Sequence, residues 1–291
     1  AFGSGWSYGL ELIQYTLPAR VPSISDWTLN ALGAAWGALA AVTIHALGVV
    51  DIWHRWREKW FIPEAGHGLA LIWMWPLGLL FPPPLPLGQG QLWPTLRLHL
   101  VEWTHDTPWQ SWLLPDDPLM LWGQLHETAV RPEWLGWTEI ATVALGLMAP
   151  MCVACAFARP RLTRMLLLTG AVWVAVATTT VSTAVNFGVQ HALTWVSVPV
   201  IWGLLLGSLG GVVLLDRSRT TCAVLGVCVL LGLIALIHLA PVDPYYAQTL
   251  QAWEHGRFIR FHGLSRWFGL LWPYVALSWL LVRLFQRDTG A

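Results

Sequence analysis

Charged residues are scarce in this sequence, and lysine is nearly absent. The 16 basic and 16 acidic residues make up 11% of the 291 residues, whereas soluble domains carry about a quarter. The formal net charge of zero argues against a nucleic-acid partner, which would require a basic surface. Hydrophobic residues make up 56% of the chain, and the mean hydropathy is +0.55. These proportions predict a polytopic α-helical integral membrane protein, in which the 22 tryptophans suit the membrane–water interfaces.

Cysteine is also rare, and all four cysteines fall inside apolar runs, so no disulfide framework is expected. Cys152 and Cys155 form a Cys-x-x-Cys within a hydrophobic helix, and Cys222 and Cys228 lie toward the same predicted leaflet. A four-cysteine metal site is conceivable. Small core residues are the better interpretation, and we predict no bound metal. No signal peptide is recognisable.

About eight apolar stretches have the length that a membrane span requires, about 17–25 residues. They cover residues 2–17, 27–50, 64–87, 138–157, 165–183, 192–215, 221–239 and 267–285. Residues 88–137 hold no such run and are rich in Trp and Pro. We expect two amphipathic pieces there, 92–104 and 117–129, lying on the membrane surface or on a partner protein. The expected fold is all-α and multi-pass, with about eight spans and outward amphipathic connections.

These spans divide the chain into four predicted segments. They are a core hairpin at 1–50, the third span within 51–87, the Trp/Pro-rich segment at 88–137, and a C-terminal membrane domain at 138–291 with a connection at 241–266. Arginine and lysine concentrate in the short loops at 51–60, 158–164 and 216–219, which therefore face the cytoplasm together with the C-terminus. The predicted location is the bacterial cytoplasmic membrane, with 88–137 and 241–266 facing outward.

Five polar residues interrupt the apolar sequence near its start. They are Glu11, Gln14, Arg20, Asp26 and Asn30. Polar and ionisable side chains inside a membrane are costly and mark functional sites by default. Two antiparallel helices joined by a tight turn would bring the five together at the outer leaflet, so we predict a pocket for a polar headgroup, glycan or drug. The alternative is structural, with Asp26 capping a helix and Glu11 paired with Arg20.

Two pairs of glycines predict close helix packing. Gly33 and Gly37 are four residues apart, and Gly207 and Gly211 repeat this spacing. Small residues at this interval lie on one helix face, where they allow a second helix to approach closely. We therefore predict a helix-packing role for all four.

The spacing Glu-xx-Gln, Arg, Asp-xxx-Asn-xx-Gly-xxx-Gly resembles the core motif of the VanZ-like family, which is named for a protein linked to teicoplanin resistance. The matching residues are Glu11, Gln14, Arg20, Asp26, Asn30, Gly33 and Gly37. The resemblance covers about the first 50 residues, and the remainder is similar to the extension of longer family members, most clearly at 248–274. It implies further spans and a further polar motif before residue 1, so we expect part of the family domain to be missing.

A basic and aromatic group lies around the second long connection. Trp253, Arg257, Arg260 and Trp267 are expected on the membrane surface. Contact with the phosphate of a lipid-linked substrate is the alternative.

Four histidines are candidate ligands of a haem or chlorin. His45 and His67, like His191 and His238, lie near matching ends of predicted spans, as bis-histidine ligation requires. Capping or interfacial placement is the preferred interpretation, so no cofactor is predicted.

No nucleophile–base pair is visible, so binding is expected rather than catalysis. The predicted function is a VanZ-like membrane protein that binds an envelope component or an amphiphilic drug at the outer leaflet, with membrane lipids as partners. The alternative is an accessory or scaffold subunit of a larger membrane complex, including one that carries a cofactor or pigment. An enzyme acting on lipid-linked substrates is a third interpretation.

Overall fold

A computed structural model describes residues 24–92, 134–159, 162–239 and 259–285, together with the isolated residues 5, 6, 9, 96, 100, 103, 104, 107 and 108. The described residues are helical and contain no β-strand, so the chain is an all-α protein. Its main helices are α1 (Ile24–Ala46), α2 (Val49–Trp60), α3 (Gly66–Leu79), α4 (Leu135–Phe157), α5 (Leu162–Phe187), α6 (Val198–Leu214), α7 (Arg219–Leu239) and α8 (Ile259–Phe285). They fall into two compact units, residues 1–60 and 61–291.

The helices have the length and composition of membrane spans. Five are long and apolar enough to cross a bilayer, namely Trp27–Ala46, Leu135–Phe157, Leu162–Phe187, Arg219–His238 and Gly263–Phe285. An α-helix rises about 1.5 Å per residue, so the 23 residues of α4 extend about 34 Å and exceed the hydrocarbon thickness of about 30 Å. These findings fit a helical membrane protein.

The N-terminal unit consists, in its described part, of α1 and α2. The span in α1 has no buried residue within this unit. Leu47 and Gly48 form the turn between the two helices, and Gly48 has a φ of 67°, which favours glycine. The backbone N–H of Gly48 donates to the carbonyl of His45 at 3.0 Å, which closes the end of α1.

Helix α4 is the centre of the C-terminal unit. It contacts α3, α5, α6 and α7, while α8 packs on α3 and α7. Its second half is continuously buried from Ala149 to Phe157. The end of α4 also meets the chain before α3, since the backbone N–H of Ile62 donates to the carbonyl of Phe157 at 3.3 Å. The core of this unit therefore surrounds one helix.

Glycines set the closest helix crossings in this unit. A Cβ atom on Gly207 would lie 2.9 Å from the carbonyl oxygen of Ala144 in α4. A Cβ atom on Gly78 in α3 would lie 2.8 Å from the backbone nitrogen of Gly269 in α8. At both crossings the backbones pack directly against each other because no side chain intervenes.

Two predicted spans are shorter in the structure than the sequence suggested. The third was expected over 64–87, but α3 ends at Leu79. Pro82, Pro83 and Pro84 follow after two residues, and consecutive prolines disfavour a helix because each lacks an N–H and restricts the residue before it. The sixth was expected from residue 192, but α6 begins at Val198 because the Ser197 side chain caps it by accepting from the Val200 N–H.

Candidate ligand-binding site

The predicted N-terminal polar cluster lies almost entirely outside the described residues. This applies to Glu11, Gln14 and Arg20, and to the side chain of Asp26, whose backbone belongs to α1. Asn30 is described, and it is exposed on α1 one turn beyond Asp26. The convergence of the five residues on one pocket therefore stays a prediction.

The four predicted packing glycines differ in their surroundings. Nothing described lies within 4 Å of a Cβ atom built on Gly33 or Gly37. Gly207 and Gly211 lie against α4, and a Cβ atom on Gly211 would lie 2.7 Å from the sulfur of Met151. The second pair thus faces a neighbouring helix, whereas the first faces open space among the described residues.

A loop at residues 80–91, buried at 81 and at 87–90, was not predicted from the sequence. It leaves the end of α3 and passes between α4 and α8, with Leu87 only 1% exposed. Leu87 and Gly90 have positive φ angles of 60° and 107°, so the loop bends sharply at both residues. The loop packs closely against α4 at Gly146, because this residue has no side chain. A Cβ atom there would lie 2.5 Å from the Leu87 carbonyl oxygen.

Side chains from the surrounding helices bind the polar backbone around this loop. The Ser182 hydroxyl donates to the Leu80 carbonyl at 2.8 Å, and the Tyr274 hydroxyl donates to the Gly90 carbonyl at 2.9 Å. At the end of α3, the Ser265 hydroxyl donates to the Leu77 carbonyl. Non-helical backbone is tolerated at membrane depth only where such partners satisfy it. The loop is therefore held by hydrogen bonds to the surrounding helices and packs as part of the helix bundle.

Gln89 is the loop residue with a buried polar atom that lacks a hydrogen-bond partner among the described residues. Its side chain is buried, at 3% exposure, and its Nε2 donates to the Trp75 carbonyl at 3.0 Å. Its Oε1 is also buried and has no hydrogen-bond partner among the described residues. A buried unsatisfied acceptor costs about 1–3 kcal/mol and calls for an explanation. A donor from a bound molecule would supply the missing partner.

Gln89 lines a small cleft between the loop and α8. The free volume is about 20 Å³, which exceeds the minimum for one water molecule. Arg266 lines the same cleft, and its guanidinium carbon lies 6.0 Å from the centre of the Phe81 ring. Apolar surface surrounds these polar groups, contributed by Phe81, Pro83, Pro84 and Leu270.

The lining of the cleft includes the unpartnered acceptor residue Gln89, the cationic donor Arg266 and a second amide residue, Gln91. Gln89 Oε1 requires a donor, and the Arg266 guanidinium offers only donors. A hydroxyl or amide group of a ligand can donate to Gln89 Oε1 and accept from Arg266, since each carries a donor and an acceptor. The described lining contains no carboxylate, cysteine or histidine, so the chemistry is recognition of a polar group beside an apolar rim.

A second polar centre lies at the opposite end of α4. Arg164 is 1% exposed and donates through Nη1 to the carbonyls of Leu214, Leu215 and Arg217 at 3.0, 3.1 and 2.6 Å. Its Nη2 donates to the Cys155 carbonyl at 3.0 Å. A cation is favourable at the C-terminal ends of helices, where carbonyls lack partners. Arg164 therefore fastens the ends of α4 and α6 together.

Two of the four cysteines, Cys155 and Cys222, lie near this arginine. Cys152, Cys155 and Cys222 are buried, and Cys228 is exposed on α7. The thiols of Cys155 and Cys222 are close enough to share a hydrogen bond. No group of three or more potential metal ligands occurs among the described residues. Cys152, Cys155 and Cys222 thus lie in the core of the unit, whereas Cys228 does not.

The remaining predicted residues are placed individually. His45, His67, His191 and His238 are all exposed, and Nδ1 of His238 lies 2.6 Å from the Ile234 carbonyl of its own helix. Trp267 is exposed on α8. Trp253 and Arg257, and the side chain of Arg260, lie outside the described residues. Haem or chlorin ligation stays the alternative that nothing here tests, and the surface role of this group stays a prediction.

The described fold is all-α, and its five helices long and apolar enough to cross a bilayer are consistent with a multi-pass membrane protein, with a polar recess inside the C-terminal unit. Comparison with family models, with curated proteins and with solved structures gave no match.

Proposed function

We propose that the chain is a VanZ-like binding protein of the bacterial cytoplasmic membrane, with about eight spans and a cytoplasmic C-terminus. It binds a polar group of an amphiphilic envelope component or drug without catalysing a reaction. The unpartnered Oε1 of the buried Gln89 carries the proposal, because this acceptor lacks a donor and belongs to a residue that lines the cleft.

The distribution of arginine supports an outward position for the cleft. Arg159, Arg164, Arg217 and Arg219 belong to the ends of α4 to α7 opposite the loop at 80–91. Cytoplasmic loops carry the excess of arginine and lysine, so the end with the cleft is assigned to the outside. An envelope component or a drug approaches from that side.

The size of the cleft limits what enters it. A volume of about 20 Å³ admits one hydroxyl or amide of a larger molecule. The rest of the ligand would lie on the rim of Phe81, Pro83 and Pro84. A ligand with a polar tip on an apolar body fits this arrangement, and the VanZ-like motif of Glu11, Gln14, Arg20, Asp26 and Asn30 supports the same ligand class.

Native mass spectrometry of the protein purified from its own membrane tests this proposal. We expect the wild-type protein to carry a bound mass in the range of an envelope amphiphile. Gln89→Leu keeps the side-chain volume but removes the acceptor, and we expect at least about tenfold lower occupancy. Gln190→Leu is the matched control, since Gln190 is exposed on the short turn before α6.

Two outcomes would overturn the proposal. Equal occupancy in the wild type and in Gln89→Leu would mean that the ligand binds elsewhere. A stoichiometric protein subunit without any bound small molecule would instead favour the accessory-subunit function.

A further inference from the structure

Helix α2 has an apolar stripe that no described residue of its unit covers. At about 100° per residue, Val49, Ile52, Trp53, Trp56 and Trp60 fall within an arc of about 100°. None of the helix is buried, and Trp53 and Trp56 are 44% and 51% exposed. The rings of Trp56 and Trp60 stack with centroids 4.5 Å apart. The stripe is therefore continuous along the helix.

The charged residues of α2 are arranged around this stripe according to the sign of their charge. Lys59 and Arg57 lie on its two borders, about 70° and 90° from its centre, and Arg55 lies about 110° from it. Asp51 and Glu58 lie on the opposite face, about 150–170° from the centre. Cations beside the apolar stripe and carboxylates away from it match a surface whose outer layer is anionic.

The position of α2 in the chain places it at a membrane boundary. Only Leu47 and Gly48 separate it from α1, whose residues Trp27–Ala46 have the length and hydropathy of a membrane span. The Ile52 N–H donates to the Gly48 carbonyl at 3.1 Å, so the helix starts directly at the turn. With 12 residues, α2 extends about 18 Å and is too short to span.

We propose that α2 lies in the plane of the membrane, at the leaflet where α1 ends, and binds the phosphate groups of anionic phospholipids. Its tryptophans and Ile52 enter the boundary between headgroups and acyl chains, as amphipathic interfacial helices do. Arg55, Lys59 and Arg57 extend to the phosphates, while Asp51 and Glu58 face water. This inference concerns the N-terminal unit and does not depend on the cleft at Gln89.

The lipid preference of the full-length protein tests the charge part of the proposal. Purified protein is mixed with equal amounts of phosphatidylglycerol and phosphatidylcholine, and the retained lipids are counted by native mass spectrometry. We expect the wild type to retain phosphatidylglycerol preferentially. Arg55→Gln combined with Lys59→Gln should lower this preference about thirtyfold, since each cation near an anionic surface contributes about 1 kcal/mol. Asp51→Asn with Glu58→Gln is the matched control and should keep the preference.

Spin labels test the orientation of the helix. Single cysteines replace Ile52 or Glu58 in a Cys228→Ser background, because the other native cysteines are buried. In phosphatidylglycerol-containing vesicles, we expect the label at position 52 to collide with oxygen and the label at 58 with a water-soluble nickel complex. Equal nickel access at both positions, a stripe covered by a protein subunit, or an unchanged lipid preference after loss of Arg55 and Lys59 would each overturn the proposal.

Discussion

Replacing Arg164 should destabilise the C-terminal unit more than replacing any neighbouring surface arginine. The side chain is 1% exposed, and its guanidinium donates four hydrogen bonds to carbonyls at the ends of α4 and α6. Arg164→Met would fill the space of the aliphatic stem but would leave these carbonyls without their donor. Arg164→Lys would keep the charge, but an ammonium lacks the planar fork that reaches carbonyls of two helices.

The expected loss follows from the number and setting of these bonds. Each hydrogen bond to a charged group contributes about 1.5–3 kcal/mol, but removing the arginine also removes the cost of burying its charge. Breaking a buried charged network by deleting one partner typically costs about 3–5 kcal/mol. We therefore expect Arg164→Met to lower the free energy of unfolding by about 4 kcal/mol, and Arg164→Lys to fall between it and the wild type.

Chemical denaturation of the full-length protein in detergent, followed by tryptophan fluorescence, measures this loss. Arg159→Met is the matched control, because Arg159 is exposed and makes one long bond from Nε to the Phe61 carbonyl, at 3.5 Å. We expect the control to change the free energy of unfolding by less than about 1 kcal/mol. A loss below about 1 kcal/mol in Arg164→Met as well would refute the role assigned to Arg164.

Two further predictions address the helix crossing at α3 and the N-terminal motif. Gly78→Ala would place a methyl group 2.8 Å from the Gly269 backbone and should cost about 1–3 kcal/mol in the same assay. Gly37→Ala has open space and should be neutral or stabilising, and equal losses in both would contradict the packing described. If the proposed function holds and the N-terminal motif is a ligand site, Arg20→Ala or Asp26→Ala should each abolish a drug-susceptibility phenotype at normal membrane abundance. Stable variants that leave susceptibility unchanged would refute that site.

Long apolar runs made most of the helices predictable from the sequence. The observed α4 and α7 begin within three residues of the predicted spans and end at the predicted residues. Their boundaries are set locally, because the apolar run ends where polar loop residues begin. The end of α3 at Leu79 has a local cause as well, namely the prolines that follow. Apolar residues nevertheless continue in the sequence to residue 87.

Gln89 and Arg164 could not be assigned from the sequence because their partners are distant along the chain. In the sequence, Arg164 cannot be distinguished from other arginines of a cytoplasmic loop. Only the packing of α6 brings carbonyls about 50 residues away to its guanidinium. Gln89 lies in a proline- and glycine-rich stretch that is typical of an exposed connection. Its burial depends on Gly146 of α4 and on the approach of α8, and neither contact leaves a local signal.

The cleft at Gln89 is tested most directly by a high-resolution experimental density map of the protein purified from its native membrane without ligand stripping. We predict density within about 3 Å of Gln89 Oε1, the distance of a hydrogen bond. This density should continue outward past Phe81 as one connected, elongated molecule. An isolated peak of the size of one water, or an empty cleft, would contradict the proposal that the protein binds the polar group of an amphiphile there.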